Sequence, residues 1–280
     1  SPSVDALAAA LGTAATNEAL EPELRALLLQ IPSRVNLVEA LGRDVDAERV
    51  DAAWRDLSAA LGAALGDALA ALHGAPAPAS DDLSAEAAGR RALRNAALAL
   101  LTAGGTPDAA LAQAASATNM TDRLAALGAL TAAGATEADA ALAAFHDEFE
   151  AEPLVLDKYF VLEAMRGDGD PLARTRALMG HPRFSLANPN RARSLIGGFA
   201  QNMAAFHARD GSGYRFLAEV GIALDSSNPQ VAARLMTAFG DVRRFDAGRR
   251  AAARSALQEV AANAKSSDVA DIVRRLLTGL

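Results

Sequence analysis

The sequence predicts an all-α chain in which short helices stack on one another. Apolar residues make up 51% of the 280 residues, and Ala and Leu recur among them at helical spacing. Aromatic residues make up only 4%, and the alternating β-branched and aromatic runs typical of strands are missing. Capping residues precede the helical segments, and Gly or Pro follows them. These observations favour a two-layer α-α superhelix, a HEAT- or armadillo-like helical array that forms a bowl.

Five sites carry signals for the start of a helix. Thr106-Pro107, Asp170-Pro171 and Asn228-Pro229 each place a capping side chain before a proline at the first helical position. Residues 136–139 resemble a capping box, and Asp46 precedes the longest amphipathic stretch. With the remaining segments included, we expect roughly a dozen helices.

The stretch from Asp46 to His73 is predicted to be one long amphipathic helix. Gly62 and Gly66, which lie one turn apart, predict that a neighbouring helix approaches it closely. The apolar stripe of this helix is predicted to be core, and it consists of Val50, Trp54, Leu57, Leu61, Leu65, Leu69 and Leu72.

Glycines mark the predicted helix ends, because glycine adopts the left-handed conformation of a C-cap without strain. Residues 75–80 are the one linker-like stretch, but the composition is the same on both of its sides. We therefore expect a single helical domain over residues 1–280. The glycines concerned are Gly42, Gly74, Gly104, Gly105, Gly134 and Gly167.

Composition excludes several classes of function. Without cysteine the chain has no disulfide, thiolate metal site or cysteine nucleophile, and we expect a cytoplasmic protein. The net charge of −7 and the lack of a basic stripe argue against nucleic-acid binding.

No apolar run approaches the ~20 residues that cross a bilayer, so a membrane protein is not expected. The N-terminal residues lack the pattern of a secretory signal, and Ser1 in place of Met suggests a piece of a longer polypeptide.

Motifs for catalysis or metal binding are absent from the sequence. Its four histidines form no H-E-x-x-H motif, and no G-x-S-x-G motif occurs. His146, Asp147 and Glu148 are consecutive in a predicted helix, so their side chains diverge and do not converge on one ion. Residues 211–213 are predicted to form a turn before a helix that begins near Tyr214, not a phosphate-binding loop. We expect no catalytic residue and no metal ligand set in this chain.

Two polar groups of residues remain as candidate binding sites. In residues 188–193, asparagines cap a helix whose first turn carries Arg191 and Arg193, an unfavourable place for cations that suggests an anionic partner. After Asn228-Pro229, Gln230 and Arg234 share one helix face, opposite Val231, Leu235, Ala238 and Phe239. Arginine can bind a carboxylate through its two-pronged guanidinium. Spacing alone favours a simpler explanation of both groups, which is a solvated surface or an internal bridge from arginine to a carboxylate.

Several long motifs resemble the C-terminal helical domain of bacterial aminopeptidase N, the zinc-dependent alanyl aminopeptidases of the gluzincin class. The strongest are NPNRARSLIG at 188–197, AFHARDGSGY at 205–214 and NPQVAARL at 228–235. Shorter landmarks in the same order lie at 17–20, 91–96, 119–122 and 157–160. Tyr159 departs from the pattern, since relatives often carry Trp there.

The resemblance implies that residues 1–280 are that domain without its first helices, and that the catalytic and β domains are absent. The parent would be a zinc enzyme that removes N-terminal amino acids from peptides, with zinc held in its catalytic domain and no cofactor in this chain. The helical domain would close over the active-site chamber, with the catalytic domain of the same polypeptide and peptide substrates as its partners. By motif position, Arg193, Gln230 and Arg234 would bind the downstream part of the peptide, and the isolated chain would be inactive.

Two other functions remain open at this point. A free-standing helical-repeat scaffold that binds a protein partner on its concave face would show the same periodicity. A free-standing enzyme is supported only by the presence of Arg, His and Asp. The ordered set of motifs favours the aminopeptidase domain over both.

Overall fold

The fold is all-α, as predicted. A computed structural model describes residues 3–280, so Ser1 lies outside the described residues. Within this range there is no strand, only one isolated bridge between Val45 and Phe245. The helices are α1 (Val4–Thr16), α2 (Pro22–Leu28), α3 (Arg34–Leu41), α4 (Ala47–Ala64), α5 (Gly66–Gly74), α6 (Ala85–Ala103), α7 (Asp108–Ser116), α8 (Met120–Ala133), α9 (Ala138–Phe149), α10 (Pro153–Met165), α11 (Pro171–Leu178), α12 (Pro189–Gln201), α13 (Met203–Phe206), α14 (Ser212–Asp225), α15 (Pro229–Met236), a 3₁₀ helix (Thr237–Arg244), α16 (Ala247–Asn263) and α17 (Ser267–Gly279).

The helices outnumber the expected dozen because apolar periodicity continues through some breaks. The predicted helix from Asp46 to His73 is in fact α4 and α5, which meet at Leu65 with a bend of 78°. Leu61, Leu65 and Leu69 are all buried in one cluster, so the stripe gives no sign of the bend. Among residues 3–280, no single helix has both the length and the apolar composition to span a bilayer; α4 and α5 do so only when taken together.

The chain divides into two compact units. The first holds the residues up to Pro32 and Ala53–Glu148, and the second holds Ser33–Ala52 and Phe149–Leu280. Residues 75–80, the linker-like stretch, lie inside the first unit. All phenylalanines except Phe145 belong to the second unit.

The core of the first unit consists mainly of alanine and leucine. Helix α6 lies at its centre and packs against α2, α5 and α8. Glycine permits the closest approach: a Cβ on Gly62 of α4 would lie 2.0 Å from the carbonyl oxygen of Leu100 in α6. The predicted close approach is therefore confirmed at Gly62, but it is wrong at Gly66, where nothing lies within 4 Å of such a Cβ.

The second unit has an aromatic core. Helix α10, helices α12–α17 and the 3₁₀ helix contribute its buried side chains, with Phe160, Phe199, Phe206, Tyr214 and Phe216 among the largest. Helices α10 and α12 pack against each other, as do α14 and α15. The N-terminal segment Ser33–Ala52 joins this unit through Val45, whose N–H donates to the carbonyl oxygen of Arg244 at 3.0 Å.

Three of the predicted helix starts are confirmed by side-chain caps. Asp170 accepts from the N–H of Ala173, Asn228 from that of Val231, and Asp46 from that of Glu48. Helix α7 does begin directly after Thr106-Pro107, but the predicted side-chain cap is wrong: the Thr106 hydroxyl donates instead to the carbonyl oxygen of Leu101 in α6. At the predicted capping box, residues 136–139, α9 begins at Ala138 and the Thr136 hydroxyl contacts the adjacent carboxylate of Glu137.

The glycine signals are confirmed in part. Gly134 follows α8 in the left-handed conformation of a C-cap, with φ 66° and ψ 32°. Gly42 follows α3 with a positive φ of 85° but a ψ of −66°, outside that conformation. After α10, the positive φ of 62° belongs to Gly169 and not to Gly167. Gly211 (φ 71°) lies in the predicted turn before α14, and the helix begins at Ser212, close to the predicted Tyr214.

Candidate functional site

Helix α12 begins sharply because of an asparagine and a proline. The Asn188 side chain accepts hydrogen bonds from the N–H groups of Asn190 and Arg191 at 3.0 and 3.3 Å, and Pro189 occupies the first turn. These contacts satisfy two donors that a helix start leaves unpaired. The cap therefore sets where the helix that carries Arg191 and Arg193 begins.

Arg191 points into the protein and forms an internal ion pair. Its guanidinium pairs with the carboxylate of Asp157 on α10 and donates to the carbonyl oxygens of Pro153 (2.8 Å) and Arg183 (3.1 Å). It also lies 5.7 Å from the ring centre of Phe160. The internal bridge considered from the sequence therefore exists at Arg191, which joins α10 to α12.

Arg193 points the other way and is exposed to solvent. Its position two residues later on the helix turns its side chain to roughly the opposite side of α12. Its guanidinium has no hydrogen bond or salt bridge to any residue in the range 3–280. The two arginines of the motif thus differ, since one is structural and the other is free to meet a ligand.

Gln230 and Arg234 lie on the exposed face of α15, as their spacing predicted. Neither side chain has a partner among the described residues. Val231 and Leu235 on the opposite face are buried, as is Phe239 in the following 3₁₀ helix, whereas Ala238 is half-buried.

The two helices that carry these three side chains pack against each other. Gly197, one turn after Arg193, lies against α15, since a Cβ there would be 3.9 Å from Cδ2 of Leu235. Arg193, Gln230 and Arg234 are therefore exposed, unpaired polar groups on adjoining helices of one unit. We call them the polar triplet.

A buried centre that the sequence did not reveal lies around His207 in the same unit. His207 Nδ1 lies 2.8 Å from the Tyr214 hydroxyl, and the Nε–H of Arg249 donates to the His207 carbonyl oxygen at 2.6 Å. Burial, and then the charge of Arg249, lower the pKa of His207 to about 3, so its imidazole is neutral at physiological pH. The same burial raises the pKa of Tyr214. Neutral, enclosed groups of this kind hold a core together and are not available to a substrate.

Arg249 links this centre to the segment Ser33–Ala52. Its guanidinium pairs with Asp246 and lies within 3.4 Å of carboxylate oxygens of Asp46 and Glu48. No sequence signal joins residues that are about two hundred positions apart. The motif around His207 and Tyr214 thus marks a structural centre.

Two other histidines make contacts within their own unit. His146 contacts the carboxylate of Asp147 at 3.1 Å, and Glu148 pairs with Arg123. In the second unit, the His181 ring packs edge-on against Phe160 and its Nδ1 accepts from the N–H of Arg183.

A second landmark of the sequence, at 119–122, holds the first unit together. The Asp122 carboxylate accepts from the side-chain amides of Asn95 and Asn119, each at 2.8 Å. Gln113 completes the network by donating to Asn95 at 2.9 Å and to the Asp122 carbonyl at 2.8 Å. These polar groups satisfy one another between α6, α7 and α8.

Comparisons with known proteins agree with the resemblance inferred from the motifs. A family model described as "Domain of unknown function (DUF3458_C) ARM repeats" matches residues 1–278. Aminopeptidase N of Escherichia coli is 39% identical over 248 residues, covering 87% of this chain and 28% of the relative. Aminopeptidase N of Caulobacter vibrioides is 37% identical over 243 residues, covering 84% of this chain and 28% of the relative.

A solved structure shows the same fold. The crystal structure of Legionella pneumophila aminopeptidase A in complex with aspartic acid superposes with a TM-score of 0.86 and 26% identity, covering 99% of this chain and 36% of that one. The resemblance to the C-terminal part of aminopeptidase N is thereby confirmed. The chain spans only about a quarter to a third of the length of these relatives.

Proposed function

We propose that this chain, which belongs to the DUF3458_C family of ARM-repeat domains, is the C-terminal domain of a zinc-dependent aminopeptidase. The parent enzyme removes N-terminal amino acids from peptides. The support comes from the aminopeptidase relatives, each of which extends well beyond the region that this chain matches.

In this proposal the domain closes the active-site chamber and performs no chemistry. The zinc belongs to the H-E-x-x-H helix of the catalytic domain, and that motif does not occur in this sequence. The isolated chain is accordingly inactive towards peptides. Hydrolysis by the purified chain that persists in the presence of a chelator would contradict this assignment.

The polar triplet is the observation that supports a role in substrate binding. An arginine without a carboxylate partner can bind the C-terminal carboxylate of a short peptide through two parallel hydrogen bonds. A free glutamine can donate to and accept from a peptide backbone. Arg193 and Arg234 would thus hold the end of the substrate while Gln230 orients its backbone, which positions the peptide without any proton transfer.

The experiment compares two kinds of substrate in the intact parent enzyme. Arg234→Ala is expected to raise KM for dipeptides and tripeptides by roughly 2- to 5-fold, the effect of an ion pair at a solvated site. Amino-acid anilides lack the carboxylate, so their KM should stay close to that of the unmodified enzyme. Arg254→Ala, which removes an exposed arginine on α16, is the matched control and should change neither value. Equal effects of Arg234→Ala on both kinds of substrate would refute the assignment.

A further inference from the structure

The first unit contains an open cleft that is separate from the polar triplet. Its volume is about 420 Å³, within the range of small-molecule sites. Residues of α2, α5 and α6 line it, together with the chain that follows α1 and α5. Gly89 of α6 brings α2 close, since a Cβ at that position would lie 3.1 Å from the backbone nitrogen of Glu23.

Three half-buried arginines face this cleft, and each is anchored to a backbone carbonyl. The Arg25 Nε–H donates to Ala15 at 2.7 Å, and Arg90 Nη2 donates to Pro76 at 2.8 Å. Arg94 Nη1 donates to the carbonyl oxygens of His73, at 2.6 Å, and Ala75. Each anchor uses one nitrogen of a guanidinium with five N–H groups, so several donors on every arginine remain free.

None of these three arginines has a carboxylate partner among residues 3–280. Arg90 and Arg94 lie four apart on α6, a spacing at which like charges repel. Burial, the largest influence, and the charge of Arg90 lower the pKa of Arg94, while Asp122 acts in the opposite direction. Asp122 itself is bonded to Asn95 and does not form a salt bridge with Arg94.

The balance of charge in the cleft is positive. Glu18 is the only acidic residue among those that line it, against three arginines, and its side chain is exposed and without a partner. The same cleft has an apolar wall that includes Leu72 and Leu93. Unpaired cations beside exposed apolar surface suit an anion that also carries a hydrocarbon part.

We propose that this cleft binds a small organic carboxylate. The carboxylate oxygens accept hydrogen bonds from the free guanidinium groups of Arg25, Arg90 and Arg94, and the hydrocarbon part lies along Leu72 and Leu93. Binding relieves the repulsion between the two arginines on α6. The competing explanation is that the arginines only cap the C-terminal carbonyls of α1 and α5.

Three probes titrated into the 280-residue chain separate these explanations. Hexanoate, hexanol and inorganic phosphate are added separately, with binding followed by NMR shifts of backbone amides around the cleft. Hexanoate is expected to bind there in a saturable manner, at least about tenfold more tightly than hexanol, because only hexanoate presents a charge to the arginines. Equal binding of hexanoate and hexanol, or stronger binding of phosphate than of hexanoate, would overturn the proposal.

Charge-removing variants then test the arginines one at a time. Arg90→Gln and Arg25→Gln should each weaken hexanoate binding by about fivefold or more, while Arg94, which holds two carbonyls, is left intact. Arg55→Gln, an exposed site on α4 outside the cleft, is the control and should bind as the unmodified chain does. Unchanged affinity in Arg90→Gln and Arg25→Gln, with helical content preserved, would show that the arginines are helix caps alone.

Discussion

Removal of the Asp157 carboxylate tests whether Arg191 is as buried as its contacts indicate. In the pair, the side chains of Arg191 and Asp157 are 6% and 13% exposed. Asp157→Ala leaves a guanidinium in a nearly dry environment without its counter-charge. Loss of one partner from such a pair typically costs about 3–5 kcal/mol of unfolding free energy. Because Arg191 retains its bonds to Pro153 and Arg183, we expect a loss near the lower end, ~3 kcal/mol.

The assay is urea-induced unfolding followed by far-UV circular dichroism, which reports helix throughout the chain. Glu219→Ala is the matched control, because Arg176 and Glu219 form an ion pair at 2.7 Å with side chains 50% and 53% exposed. Loss of this exposed ion pair should lower the free energy of unfolding by no more than ~1 kcal/mol. The double variant Arg191→Met with Asp157→Leu removes both charges and should be less destabilised than Asp157→Ala alone. If Asp157→Ala and Glu219→Ala cost the same, the buried charge proposed for Arg191 is refuted.

Two further predictions concern His207 and a helix contact. The pKa of His207 is about 3 in the folded chain and near 6.5 when unfolded, so between these values only the unfolded chain binds the proton. Protonation of His207 alone should therefore lower stability by up to ~1.4 kcal/mol per pH unit as the pH drops below about 6.5. The slope should be shallower in His207→Asn, where the slope due to His73, whose pKa is also lowered by burial, remains. An NMR titration midpoint near 6.5 for the His207 imidazole would contradict the prediction. Gly62→Ala should lower the free energy of unfolding in urea by ~1–3 kcal/mol, because the new Cβ meets the Leu100 carbonyl. Gly66→Ala is the control and should be neutral or slightly stabilising. Equal effects of the two substitutions would contradict the helix contact.

The fold was predictable where the deciding interactions are local. Asp46, Asp170 and Asn228 cap helices because a side-chain oxygen reaches an N–H two or three residues away. The buried and exposed faces of α15 follow from spacing for the same reason. The bend at Leu65 was not predictable, since the apolar period that buries Leu61 and Leu69 runs through it unchanged.

The candidate site was predictable only as a set of residue types. Spacing placed Gln230 and Arg234 on one face, but it treated Arg191 and Arg193 alike and did not decide between an internal bridge and an exposed surface. The packing of α10 against α12 decides the matter, because it brings Asp157 to Arg191. It brings no carboxylate from residues 3–280 to Arg193.

By itself, the sequence determined that the chain is helical, where several helices begin, and which family its motifs resemble, because those properties depend on neighbouring residues and their order. The tertiary structure decided which charges are neutralised. It brings Asp46 to Arg249 across about two hundred residues, whereas Arg25, Arg90 and Arg94 face the cleft with no carboxylate partner among residues 3–280. The physical reason is that the electrostatic energy of a charged side chain depends on the groups that surround it in space. Contacts between distant segments produce no periodic pattern in the sequence.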